Sequence, residues 1–359
     1  MSSYVLFCKR FLNLILVLFL ITPVVVNYWR GTWYILDLFV FPDDGILSAS
    51  TTFTASFGAM FLIMLVEDYL KEFLNERKAS KGLYLVLFYP LAFMTVASWR
   101  GLWMLLDYYT TTSLTSACVS HVIGFLIVLS LKTTSTIIAI PGYCISERHV
   151  DLSKNILAGK QCLRNNTSAC ADVATRILNS FVTIFVIGAG VVCYWRGTWL
   201  IIVTTVKHPS RHPSDKLISS IPVIGLGYAI LCMCYCLSEC VSSIKLNPPY
   251  SLLMRALEQI FVYILGFGVV VSWVGIWHLM DLLMDSYLLP DNPVTSVLVC
   301  HFAGIVALYL LQASVNLIGS PLGCRVHGSE TLEGFDMGSY IEKPVRIEPN
   351  KQEDTTTDP

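Results

Sequence analysis

Trp29-Arg30-Gly31-Thr32-Trp33-Tyr34-Ile35-Leu36-Asp37 is the stretch that decides the fold, because the chain writes it four times. The later copies are W-R-G-L-W-M-L-L-D at Trp99 to Asp107, W-R-G-T-W-L-I-I-V at Trp195 to Val203, and W-V-G-I-W-H-L-M-D at Trp273 to Asp281. Each follows a long apolar run. The spacing between copies, about 70 to 96 residues, is too long for a solenoid unit and suits a pair of membrane-crossing helices.

Composition agrees. Hydrophobic residues make up 55% of the chain and charged residues 14%, and the mean hydropathy is +0.64, outside the range of soluble domains. The partner this implies is the lipid bilayer; nothing supports nucleic-acid binding. A crossing needs about 20 apolar residues. Eight runs qualify, at roughly 11–38, 51–67, 83–108, 115–140, 177–204, 217–239, 257–282 and 294–318. The expected fold is therefore all-α, a polytopic transmembrane bundle of eight spans, with the motif on every odd span. The first span reads as a retained signal anchor, since it is long and continues into the repeated motif. Pro23, Pro90 and Pro222 fall inside spans, where they are expected to kink them.

Lys and Arg set the orientation. They gather at Lys9 and Arg10, at 71–81, at 148–176 and at Lys245 and Arg255, which places both termini and these loops in the cytosol. Lys207, Arg211 and Lys216 in the fifth loop depart from the pattern. The sequons at Asn165 and Asn166 fall in a cytosolic loop on this topology and are expected to stay bare. A second repeat aligns Thr115–Cys144 with Thr295–Cys324 without gaps, matching His121 to His301, Gly124 to Gly304 and Pro141 to Pro321. The chain thus divides into a first membrane half (1–140), a cytosolic linker (141–176), a second membrane half (177–320) and a polar, acidic tail (321–359) expected to be disordered. Four spans per half give parallel halves, each with two motif copies, related by a pseudo-two-fold axis along the membrane normal.

Candidate structural or partner-binding residues come from the motifs: Trp29, Arg30, Trp33, Asp37, Trp99, Arg100, Trp103, Asp107, Trp195, Arg196, Trp199, Trp273, Trp277, Asp281, His121 and His301. Near the outer interface the tryptophans suit an aromatic belt, with arginines snorkelling to headgroups. Against that, the seven-residue interval from Arg to Asp returns to one helix face. Arg30 with Asp37 and Arg100 with Asp107 are placed to pair along a helix or to reach neighbours. The third copy has Val203 in place of the acid and the fourth has Val274 in place of the base, which suggests an Arg196–Asp281 pair across helices. The glycines at 31, 101, 197 and 275 admit a close neighbouring backbone. His121 and His301 suit either helix bridging or convergence on a central axis.

Chemistry is sparse. No nucleophile elbow, P-loop or HExxH appears, so no enzyme, no cofactor and no metal site is expected. Cys232, Cys236 and Cys240 repeat at helical spacing and read as packing residues, the last two near enough to the cytosolic edge for acylation.

The W-R-G-x-W copies, together with eight spans and cytosolic ends, resemble the Fuseless family of multipass neuronal membrane proteins. The resemblance implies an eight-pass, non-enzymatic plasma-membrane protein of presynaptic terminals that helps organise calcium channels or other scaffold partners at release sites. The alternative is a transporter or channel-like pore for a small solute or ion, suggested by the parallel duplication.

Overall fold

The computed structural model describes residues 3–66, 69–70, 72, 81–144, 169–206, 213–245 and 252–320. The sequons at Asn165 and Asn166, most of the linker, Lys207 and Arg211, and the tail from 321 onward lie outside the described residues. The described chain is helical: α1 (Ser3–Leu16), α2 (Thr22–Phe39), α3 (Gly45–Leu65), α4 (Lys81–Thr110), α5 (Leu114–Ser130), α6 (Ala169–Phe181), α7 (Gly188–Thr205), α8 (Pro213–Lys245), α9 (Leu252–Leu282) and α10 (Pro293–Leu310). A π-helical turn at Val17–Ile21 joins α1 to α2, a second at Val182–Ile187 joins α6 to α7, and a third at Leu283–Leu288 extends α9. Pro23 comes just after the first of these, while Pro90 and Pro222 sit inside unbroken helices.

Among the described residues, six helical stretches are long and apolar enough to cross a membrane: Cys8–Phe39, Gly45–Leu65, Val173–Thr205, Ser219–Ser238, Arg255–Leu288 and Pro293–Leu311. The protein is an integral, multi-pass membrane protein. Its surface agrees, since Phe11, Phe19, Val86, Leu126 and Leu310 are exposed, a cost in water and none in lipid. Three connections between helices are tight and capped. The side chains of Asp44, Ser113 and Asn292 accept from the amides of Leu47, Ser116 and Thr295, satisfying donors that a helix start leaves open.

Two apolar runs do not behave as the sequence suggested. The runs 115–140 and 294–318 are not single helices: α5 stops at Ser130 and α10 at Leu310. Each then reverses through a residue with positive φ, Lys132 (55°) and Gln312 (54°). The amides of Thr133 and Ala313 reach back to the carbonyls of Val128 and Leu308 at 2.8 and 2.9 Å, closing the helix end as a left-handed cap does. The chain continues as a 3₁₀ turn, Thr134–Ile137 or Ser314–Leu317, and then as a buried extended stretch. Hydropathy scores burial, not direction, so a segment folded back into the protein reads like the end of a span.

The four motif helices, α2, α4, α7 and α9, form an inner ring. The glycine of each motif marks where a second helix presses on it. A Cβ at Gly31 would come within 2.6 Å of the His301 amide nitrogen on α10, and one at Gly275 within 2.8 Å of the Ile224 nitrogen on α8. Gly101 and Gly197 would overlap the backbones of Phe53 on α3 and His121 on α5. Small residues thus allow backbone contact, and the pairs are α3–α4, α5–α7, α8–α9 and α10–α2. The last pair sets the final long helix against the first motif helix, while α9 meets α2 directly through Trp273 and Trp29.

Candidate functional site: a tryptophan ring latched by buried arginines

The inner ring is filled by indoles. Trp29, Trp99, Trp195 and Trp273 contact one another in cyclic order, edge to face, with centroids 5.2, 5.3, 5.2 and 5.5 Å apart. One turn on, Trp33, Trp103, Trp199 and Trp277 repeat the arrangement at 5.8, 5.9, 5.6 and 5.9 Å. Edge-to-face geometry sets the positive rim of one ring against the negative face of the next and adds about 0.5–1.5 kcal/mol per pair beyond burial. A square with such sides places each centroid about 4 Å from its centre, which is carbon contact distance. The rings themselves occupy the axis. The indoles of the first layer are 2–5% exposed, so they form a core rather than the lipid-facing belt the sequence suggested.

The folded-back segments sit against this first layer. The indole N–H groups of Trp29 and Trp99 donate to the carbonyls of Leu317 and Ser320 at 3.1 and 2.6 Å. Those of Trp195 and Trp273 donate to Ile137 and Ile140 at 2.8 and 2.6 Å. Each segment therefore supplies two carbonyls, three residues apart, to two adjacent motif helices. Sequence reasoning missed these acceptors, although the aligned repeat of Thr115–Cys144 with Thr295–Cys324 contains them.

Next to the first-layer tryptophans in sequence, the arginines are the largest fully buried side chains: Arg30, Arg100 and Arg196. They do not snorkel. Each reaches the Asp of the neighbouring copy, not its own. Arg100 on α4 binds Asp37 on α2 at 2.7 Å and adds Ser48 at 2.9 Å and Thr52 at 3.5 Å. Arg196 on α7 binds Asp107 on α4 at 2.7 Å, with the Thr111 carbonyl at 2.7 Å and Ser116 at 3.5 Å. Arg30 on α2 binds Asp281 on α9 at 2.6 Å and Asp285 at 2.8 Å through both carboxylate oxygens; it also lies 4.9 Å from the Tyr34 ring centroid. The Arg196–Asp281 pair inferred from sequence is therefore wrong, and so is pairing along one helix. The rule is that the Arg of one copy bonds the Asp of the copy before it. Applied to the remaining seam, α7 to α9, the rule brings together the two positions that lost their charge, Val203 and Val274.

The histidines bridge helices and do not converge. His121 on α5 lies 2.8 Å from Thr198 Oγ1 on α7 through Nδ1 and 3.0 Å from the Tyr263 hydroxyl on α9 through Nε2. His301 on α10 repeats this with Thr32 on α2 and Tyr89 on α4, both at 2.8 Å. Each threonine hydroxyl also lies 2.8 Å from the carbonyl four residues back, Tyr194 or Tyr28. Its single proton goes to that carbonyl, so Nδ1 carries hydrogen and donates to Oγ1, and Nε2 accepts from the tyrosine. Beside them, Tyr28 stacks on His301 with ring centroids 4.9 Å apart, and Tyr194 lies tilted against His121 at 4.8 Å. Both tyrosine hydroxyls are buried without a hydrogen-bond partner.

A model of the Fuseless family matches residues 8–318. The chain belongs to the Fuseless family. That span takes in every tryptophan motif and reaches into the second folded-back segment. No curated protein and no solved structure matches this Fuseless chain. No enzymatic domain accompanies the Fuseless match.

Proposed function

We propose that this Fuseless protein is a non-enzymatic membrane organiser of eight spans, with both termini and the 141–176 segment cytosolic. In this role it holds partners such as calcium channels at presynaptic membranes, as the family resemblance implies. One observation carries the choice: the polar groups of the motif are spent on each other. The arginines are latched to carboxylates, the first-layer indoles to carbonyls, and the axis is packed with rings, an arrangement suited to holding a shape. In this reading the sixteen motif residues, Trp29 through His301, stiffen a platform and the partner meets its periphery.

The two parallel halves are part of the proposal. In support, Thr32, Tyr89 and His301 recur as Thr198, Tyr263 and His121, and the π turn before the first motif recurs before the third. The organiser role is tested by purifying the protein from its native membrane and identifying what comes with it. Recovery without any channel or scaffold protein sinks it. Topology is tested separately, since sugar on Asn165 or Asn166 would put that segment on the wrong side.

A second reading, a transporter or pore, is favoured by the π turns and the folded-back segments, because transporters build sites from interrupted helices. Solute uptake or current in proteoliposomes containing this protein alone would reverse the ranking.

A further inference from the structure

The four seams of the inner ring are built to one plan, and at one of them valines stand at both positions that elsewhere supply the latch. At α2/α4, α4/α7 and α9/α2 a buried guanidinium crosses to a carboxylate. At α7/α9 the corresponding positions are Val203 and Val274. The rest of the plan survives there. Ser48 and Ser116, which contact Arg100 and Arg196, and Ser296 each stand five residues before the residue that meets the motif glycine, and Ser219 stands five before Ile224 on α8. The opposite flank of α9 is the most heavily tied of all, since Arg30 engages Asp281 and Asp285 together. Deeper in the protein, α7 and α9 are both bound to α5 through His121.

We infer that the α7/α9 seam is the compliant seam of the ring, its outer ends free to part about a pivot at His121 while the other three seams stay fixed. The reason is directional and not a matter of contact strength. An ion pair with charge-assisted hydrogen bonds holds two helices at one register and rotation, whereas apolar packing along a seam with valines at both positions is nearly as favourable after a small slide or tilt. A buried ion pair and an apolar pair can be equal in stability and still differ in how uniquely they fix geometry. Motion at this seam would shear the outer indoles Trp199 and Trp277 at 5.6 Å against each other, while the inner layer stays held by the Ile137 and Ile140 carbonyls.

Hydrogen exchange on the full-length protein in lipid nanodiscs tests this, comparing the outer turns of the four motif helices. The expected result is exchange about fivefold or more faster in both 199–205 and 277–282 than in 33–39 and 103–110, as local opening requires. Val203→Asp combined with Val274→Arg should then slow both segments together. Equal protection in all four helices overturns the inference. So does fast exchange in α7 alone, which is end fraying and would not respond to a latch supplied from α9. If the double variant does not fold, the comparison within the wild-type protein still decides.

Discussion

Removing the carboxylate of Asp107 should leave Arg196 stranded, and the structure sets how badly. The guanidinium is fully buried and its carboxylate partner is 32% exposed at 2.7 Å. Breaking a buried pair costs about 3–5 kcal/mol because the surviving charge stays desolvated. Arg196 keeps the Thr111 carbonyl at 2.7 Å and Ser116 at 3.5 Å, and the acid is partly solvated, so Asp107→Asn should cost about 2–3 kcal/mol. A double-mutant cycle with Arg196→Gln isolates the pair. The coupling should be about 1.5–2.5 kcal/mol for Arg196 with Asp107, and within about 0.5 kcal/mol of zero for Arg196 with Asp281, which shares no partner with it. Thermal unfolding of the detergent-solubilised protein, followed by tryptophan fluorescence and by loss of the monodisperse peak, reads both cycles. Coupling to Asp281 larger than coupling to Asp107 would refute the ring order itself.

The remaining acids should rank by what their arginines retain: Asp37→Asn, which leaves Arg100 only hydroxyls, should be costlier than Asp281→Asn, which leaves Arg30 the Asp285 carboxylate. Unfolding temperatures of the two variants side by side check the order. Gly197→Ala should impair folding, because its Cβ would overlap the His121 backbone, while Gly225→Ala, with nothing within 4 Å, should be neutral or slightly stabilising; expression and melting of the pair test this. Tyr28→Phe and Tyr194→Phe should each leave stability unchanged or raise it by up to about 1 kcal/mol, since each removes a buried hydroxyl without a partner. A loss above about 1 kcal/mol in melting experiments would show that those hydroxyls are bonded. Trp99→Phe should destabilise by about 1–3 kcal/mol by removing the buried indole donor to the Ser320 carbonyl; melting of the solubilised protein checks it.

How much of this was legible depends on the kind of information each residue carries. The repeated glycines disclosed close helix contacts, because only a missing side chain permits them. The family resemblance came from the same four motifs. Ring order was another matter. A seven-residue interval shows that Arg and Asp share a helix face, yet not which neighbour that face meets. The complementary losses at Val203 and Val274 suggested that the surviving Arg196 and Asp281 pair, whereas the lost partners are the ones that correspond across one seam, and the survivors bond outward to Asp107 and Arg30. Tryptophan was misread for a related reason: its belt preference is a statement about lipid interfaces, and nothing in composition says that four such helices turn the same residue inward. The losses also act as a key. A helix with Arg but no Asp must be succeeded by one with Asp but no Arg, so only arrangements with α9 next after α7 leave every charge matched.

Synthesis meets these latches at different times. Arg100 finds Asp37, 63 residues behind it and already made, and Arg196 finds Asp107, 89 residues behind. Arg30 must wait for Asp281 and Asp285, more than 250 residues ahead. From its insertion until the last helices arrive, the first motif helix carries an unmatched cation in a place where a charge is costly. The nascent protein therefore needs shelter for Arg30, from the insertion machinery or a chaperone, and charge holds α2 only on its α4 side, through Asp37 and Arg100, until the ring closes. A chain halted before α9 would leave Arg30 without its carboxylates, so that the first motif arginine made would be the last to find its partners.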